Sequence, residues 1–216
     1  MISSAVEEDT PLVFVVDDDE EVRTALSELM FSVGLEAECC ASTRDLMDSP
    51  LLERAGCLVL DVRMPGASGL DLQQHLASVG ISKPIVFLTG HGDIPMSVQA
   101  MKAGAVDFLT KPVRDQTLLD AVTAGIERDI ANRVKARAVQ THVEHYQTLT
   151  PRECQVMREV ALGRLNKQIA FDLGITEITV KLHRSNVMRK MQAKSVGELI
   201  RAWEKLPADI RETIPA

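Results

Sequence analysis

The stretch CLVLDVRMPG, residues 57–66, runs four apolar residues into a single acid, Asp61, and follows it at once with a Met-Pro-Gly turn. Such an unbroken apolar run predicts a strand buried on both faces. An acid at its carboxyl end costs free energy unless other groups share its site. Four further stretches also read as strands, near-continuously apolar as a set: LVFVV (12–16), LEAECC (35–40), PIVFL (84–88) and AVDFL (105–109). Helical patterns separate them. After Asp19, for instance, Val22, Leu26, Leu29, Met30 and Val33 recur at three- and four-residue steps. Five buried strands alternating with helices predict an α/β fold, a doubly wound five-stranded parallel sheet, over residues 1–125.

In such a sheet, ligands bind beyond the carboxyl ends of the strands. The first strand ends in Asp17, Asp18 and Asp19, the third in Asp61, the fourth in Thr89-Gly90 and the fifth in Thr110-Lys111-Pro112. Carboxylates, a hydroxyl and an ammonium are thus expected on one rim. Crowded carboxylates repel, and a hard cation such as Mg²⁺ relieves them. One carboxylate can then act as nucleophile toward a phosphoryl group, with metal and lysine balancing the charge on its oxygens. Asp61 is the best candidate nucleophile, because it stands alone before a turn that keeps it accessible. Taken singly, each acid also reads as an ordinary loop acid capping a helix. The combination of D-D, D, T and K-P at successive strand ends argues against that.

Composition divides the chain. Residues 1–125 carry 20 acids against 8 Lys/Arg, whereas residues 126–216 carry 11 against 16, so a net −12 is followed by +5 within an overall −7. A basic half suits a polyanionic partner. Nothing approaches the roughly 18–20 apolar residues of a membrane span. The opening MISSAVEEDT has no signal-peptide character, so no membrane partner and a cytoplasmic location are expected. The four cysteines lack zinc-ligand spacing, and Cys39 and Cys57 read as small buried thiols.

From Asp115 to Tyr146 there is no proline, and Gly125 is the only glycine. The pattern predicts one long helix, a connector over 126–147 that can also serve as a short coiled coil. Gly125, costing about 1 kcal/mol relative to Ala, leaves a break near it open. A new domain, 148–216, opens at TLTPRE. Thr150, Pro151 and Glu153 make a capping box with proline at the first helical position, and Leu149 and Cys154 are set for a hydrophobic staple. Helices are expected at 151–162, 166–173, 177–191 and 195–206. In the third of them Val180, Val187 and Met191 share one side. Lys181, Ser185 and Arg189 lie elsewhere, flanked by Arg184 and Lys190. This is helix-turn-helix spacing, with donors and cations available for a major groove. A plain helical bundle with solvated lysines would share part of the pattern.

Residues 11–125, through VVDDD, LDVRMPGASGLDL and IVFLTGHGDIPMSVQAMKAGAVDFLTKP, resemble the receiver domain of two-component response regulators, and TGHGDIPM resembles their FixJ branch. Residues 148–206, through LTPRE, NKQIA and TVKLHRSNVMRKM, resemble the LuxR-type (FixJ/NarL) DNA-binding domain. The resemblance implies a flavodoxin-like receiver joined to an all-α, four-helix DNA-binding domain. It implies Asp61 as phospho-acceptor for a sensor histidine kinase. Mg²⁺ would be held by Asp18, Asp61 and the Arg63 carbonyl, with Asp17 acting through water. Thr89 would be the switch hydroxyl, Phe108 the rotating aromatic and Lys111 the phosphoryl-binding lysine, with a cis Lys111–Pro112 bond. Val98, Met101 and Lys102 would lie at a homodimer interface formed on phosphorylation. Lys181 and Ser185 would read base edges and Leu182 a thymine methyl. Asn166, Lys167, Thr179, His183 and Lys190 would contact phosphates, although His183 also reads as a packed helix residue. Transcription, and so RNA polymerase, would be the output. No enzyme activity beyond autodephosphorylation is implied. An aspartyl-nucleophile phosphatase of the haloacid-dehalogenase class shares Asp, Lys and Mg²⁺, but the residue four beyond Asp17 is Glu21, where that class has Thr or Val, and no cap domain is visible.

Overall fold

The structure, a computed structural model, describes residues 10–90 and 93–212. His91 and Gly92 of the TGHGDIPM stretch, and nearly all of MISSAVEEDT, lie outside the described residues. The chain forms two compact units, Met1–Arg133 and Val134–Ala216.

The first unit is a five-stranded, all-parallel sheet in the order β2-β1-β3-β4-β5. Its elements run β1 (Leu12–Val16), α1 (Glu20–Ser32), β2 (Glu36–Cys40), α2 (Thr43–Asp48), β3 (Gly56–Leu60), α3 (Gly69–Ser78), β4 (Ile85–Thr89), α4 (Ile94–Lys102) and β5 (Asp107–Thr110), then α5 (Asp115–Gln147). The three central strands are buried at every position, which is why their sequences are unbroken apolar runs. One face of the sheet packs Phe14, Leu58, Leu60 and Phe87 against Leu46, Leu72, Leu76 and Ala100. The other packs Val13, Val15, Val59 and Val86 against Leu26, Met30, Leu118, Val122 and Ile126.

Two expectations need correction, and one open alternative is closed. β5 begins at Asp107, not 105: the chain leaves a left-handed turn at Gly104, whose φ is +92°, and pairing with β4 opens only with the Val106 amide on the Ile85 carbonyl. Cys39 is exposed, because β2 is an edge strand, whereas Cys57 is buried as expected. The helix α5 runs through Gly125 without a break. A Cβ on Gly125 would lie 2.5 Å from Cys57 Sγ. This glycine therefore lets α5 sit close against β3, and its cost in helix propensity is offset by that packing.

The second unit takes in the end of α5 and the helices α6 (Pro151–Ala161), α7 (Asn166–Asp172), α8 (Glu177–Lys190), α9 (Val196–Lys205) and α10 (Ala208–Glu212). The Thr150 capping box forms as its sequence requires. Leu149 and Cys154 are both buried in the core with Val156, Met157, Ile169, Val180, Val187, Met191, Leu199 and Trp203. The short α10 was not expected. Pro207, read as a stop, stands just before it, where a proline suits the first turn of a new helix. Among the described residues, no helix is long and apolar enough to cross a membrane.

Candidate functional site: an acidic pocket and an exposed recognition helix

Register puts the ends of β1, β3, β4 and β5 on one rim of the sheet. Val16 pairs with Leu60, Leu60 with Phe87, and Thr89 with Thr110. Oxygens of Asp17, Asp18 and Asp61 lie within 4.8 Å of one another there. Asp17 is 3% exposed and Asp61 9% exposed, while Asp18 is open to solvent. Asp61 is fixed from behind, its amide donating to the Val16 carbonyl at 2.9 Å. The Arg63 amide reaches its Oδ1 at 3.4 Å. Gly69 starts α3 directly beneath. A Cβ there would stand 2.3 Å from the Asp61 carbonyl, so the glycine lets the helix close under the acid. Asp19 does different work. Its Oδ1 accepts from the Glu21 and Val22 amides and caps α1.

Lys111 also reaches this rim. Its ammonium pairs with Asp17 Oδ2 at 2.6 Å, and its amide bonds the Thr89 carbonyl at 2.9 Å. The Lys111–Pro112 bond is cis. Asp17 thus accepts from Lys111 on one oxygen and from the Asp19 amide on the other, at 3.0 Å, while Arg23 holds its carbonyl at 2.7 Å. Neither the Lys111–Asp17 pairing nor the Arg23 contact is legible in the sequence pattern. Thr89 is fully buried at the end of β4. Phe108 is half-buried on β5, its ring 5.8 Å from that of Phe87. On α4, Val98, Met101 and Lys102 are all exposed, and Ile94, which no sequence pattern singled out, is 79% exposed at the start of the same helix.

The donor set of the pocket is all oxygen and carries three carboxylates against one ammonium. That suits a hard divalent cation, so Mg²⁺ fits the residues present.

In the second unit α8 packs on α6 and α7. Val180, Val187 and Met191 turn into the core, which leaves Lys181, Leu182, Ser185 and Arg189 exposed. Thr176 caps α8 through the Thr179 amide at 3.2 Å. Lys167 is exposed, and His183 is partly buried. Arg184 donates to Asn166 Oδ1 at 2.6 Å, joining the two helices. Lys190 is placed differently. Its ammonium bonds Glu153 at 2.6 Å and the Thr148 carbonyl at 2.9 Å. It is therefore tied into the capping box of α6 and not held out beside Lys181. Burial alone would raise the Glu153 carboxyl, but hydrogen bonds from Lys190 and the Thr150 amide outweigh it and hold it below its ordinary value.

Comparison with known proteins accords with both halves. The family model for the response regulator receiver domain matches residues 13–123, and that for bacterial regulatory proteins of the luxR family matches residues 147–203. Nodulation protein W of Bradyrhizobium diazoefficiens is 52% identical over 202 residues, which cover 94% of this chain and 89% of that protein. Response regulator protein TodT of Pseudomonas putida is 47% identical, over 90% of this chain and 86% of its own. Among solved structures, the response regulator StyR superposes with a TM-score of 0.81 at 45% identity, covering 91% of this chain and 99% of that one. With a receiver fold, an acidic pocket on its carboxyl rim and a LuxR-type helical domain in one polypeptide, the chain belongs to the two-component response regulators that regulate transcription.

Proposed function

We propose that Asp61 is the phospho-acceptor of a sensor histidine kinase and that its phosphorylation drives dimerisation and sequence-specific DNA binding. The observation that carries this is the convergence of three carboxylate oxygens within 4.8 Å on the rim that Lys111 also reaches. A carboxylate oxygen of Asp61 attacks the phosphorus of a phosphohistidine. A P–O bond forms, the P–N bond breaks, and the freed imidazole nitrogen takes a proton. Asp17, Asp18, Asp61 and the Arg63 carbonyl would hold Mg²⁺, which when bound neutralises carboxylate and phosphoryl charge. Lys111 exchanges its bond to Asp17 for one to a phosphoryl oxygen, and Thr89 donates to another. Phe108 then turns inward, remodelling the face that carries Val98, Met101 and Lys102, where a second copy binds.

In this reading residues 1–125 receive, 126–147 connect and 148–216 bind DNA. Lys181 and Ser185 read base edges and Leu182 a thymine methyl, while Asn166, Lys167, Thr179, His183, Arg184 and Arg189 set register on phosphates. Paired domains meet half-sites about one helical turn apart, and RNA polymerase responds. A shift from 1:99 to 99:1 needs about 5.5 kcal/mol of differential stabilisation, shared between the new phosphoryl contacts and the dimer face.

The test is incubation with acetyl phosphate and Mg²⁺, followed by intact-mass measurement and gel shift on genomic fragments. We expect one phosphoryl group on the wild type, none on Asp61→Asn, and tighter DNA binding only for the former. Equal labelling of Asp61→Asn would overturn the assignment.

A further inference from the structure

The end of the sheet opposite the acidic pocket holds a second charged cluster that phosphoryl chemistry does not use. Asp129 on α5 is 2% exposed. Its Oδ2 accepts from the Gly56 amide at 2.8 Å and from Arg133 Nε at 2.8 Å. The Lys83 ammonium stands 3.9 Å from the same oxygen, its side chain 1% exposed. Lys83 also donates to the Arg54 carbonyl, which Arg133 reaches at 3.1 Å. The Lys83 ammonium lies 5.3 Å from the centre of the Phe14 ring. Apolar side chains could fill the same volume without desolvating three charges, so burial alone gives no reason for this cluster.

Its position does give one. Gly56 opens β3, and Asp61 follows that strand's far end. Lys83 lies just before β4, whose last residue is Thr89. Two of the three central strands that lead to the acidic pocket, β3 and β4, are therefore gripped at their feet by residues of α5. Gly125, one turn earlier on that helix, touches the same strand at Cys57. Beyond Arg133, residues 134–138 are all exposed, so the seat of α5 on the first unit ends at this cluster.

We propose that Asp129 is a positioning residue that clasps the connector helix to the feet of β3 and β4, coupling the seat of α5 to the state of the acidic pocket. The two states are a closed clasp, with Asp129 on the Gly56 amide, and an open one, with the carboxylate hydrated. A five-residue strand spans about 17 Å and is stiff, so a change in pocket geometry can bias the clasp directly. The coupling half of this proposal rests on the phospho-acceptor reading above; the clasp half does not.

Hydrogen exchange of the full-length protein, read by mass spectrometry with and without beryllofluoride and Mg²⁺, tests both halves. Asp129→Asn removes the charge at constant size. Arg133→Gln, at a side chain 34% exposed, is the milder change and carries the test if the first variant fails to fold. Without beryllofluoride, each variant should exchange about tenfold faster over residues 126–133 than wild type. Beryllofluoride should alter exchange over 126–133 in wild type but not in Arg133→Gln, with Arg133→Lys restoring the response. Arg133→Gln should still accept a phosphoryl group at Asp61 from acetyl phosphate, yet lose the donor-dependent gain in DNA affinity. Unchanged exchange over 126–133 in Arg133→Gln overturns the clasp. A wild-type beryllofluoride response that survives in Arg133→Gln overturns the coupling. If wild type takes up neither phosphoryl group nor beryllofluoride, the phospho-acceptor reading fails and the coupling with it, while exchange without additive still decides the clasp.

Discussion

The ammonium of Lys111 lies 2.6 Å from Asp17 Oδ2, so the lysine of the acidic rim is engaged with one of the carboxylates that would hold a cation. In the function proposed above, this makes Lys111 a competitor of the metal as well as a ligand for phosphoryl oxygens. Lys111→Gln should bind Mg²⁺ roughly fivefold more tightly, the equivalent of about 1 kcal/mol of removed charge repulsion. It should nonetheless fail to convert phosphorylation into DNA binding. Calorimetric titration checks the first point and gel shift with acetyl phosphate the second; unchanged or weaker Mg²⁺ binding would count against the pairing as described.

Burial pushes the Lys83 ammonium down to about 8 from 10.5, against the opposing pull of Asp129. Between those values the unfolded chain holds a proton that the folded chain has released, so stability rises with pH across that window. The penalty for the buried charge is present in full below pH 8 and amounts to a few kcal/mol, since each tenfold change in a protonation equilibrium is worth about 1.4 kcal/mol. Urea midpoints of the first unit should climb from pH 8 to 10.5 in wild type and be flatter in Lys83→Met. Parallel slopes in the two proteins would sink this account.

Gly125→Ala offers a separate test of helix seating. Propensity alone favours alanine by about 1 kcal/mol. The new Cβ would meet Cys57 Sγ at 2.5 Å, and overpacking of this kind costs about 1–3 kcal/mol. We expect net destabilisation, with the double variant Gly125→Ala/Cys57→Ala recovering part of it. Thermal denaturation of the four proteins closes the cycle.

Glu153 and Lys190 give the second unit an acid-sensitive tie. The Glu153 carboxyl is held below its ordinary value of 4.5, so its contribution is complete above that pH and is lost as pH falls through the lower folded value. Breaking the pair with Glu153→Gln or Lys190→Met should cost about 2–4 kcal/mol. Trp203 is the chain's single tryptophan and lies in this core, so its fluorescence reports the unit alone. A wild-type transition that is no more acid-sensitive than that of Glu153→Gln would contradict this.

Exposed and tied residues of α7 and α8 should separate in DNA binding. Lys181→Ala, at an exposed position proposed to read bases, should cost about 1–3 kcal/mol on the cognate site and relax specificity. Lys167→Ala should lower the slope of the salt dependence of binding by about one. Lys190→Met, measured where the domain is folded, should leave that slope unchanged, because its ammonium faces Glu153 and the Thr148 carbonyl. Anisotropy titrations across salt concentrations read all three.

Local pattern was enough for much of this protein. Unbroken apolar runs marked β1, β3 and β4 because a strand covered on both faces has no polar side to encode. The Thr150 box and the apolar side of α8 were legible for a similar reason, since capping and helical periodicity act within one or two turns. Strand ends named Asp17, Asp18, Asp61, Thr89 and Lys111 as neighbours, because parallel topology sends every carboxyl end to one rim. What the tertiary structure alone decided was which group each charge faces. Strand order made Cys39 an edge residue. The reach of side chains across elements far apart in sequence gave Lys111 to Asp17, Lys190 to Glu153, and Lys83 and Arg133 to Asp129. A charge carries no periodicity that names its partner; the partner is set by which elements pack within a few ångströms, and that is a property of the assembled fold.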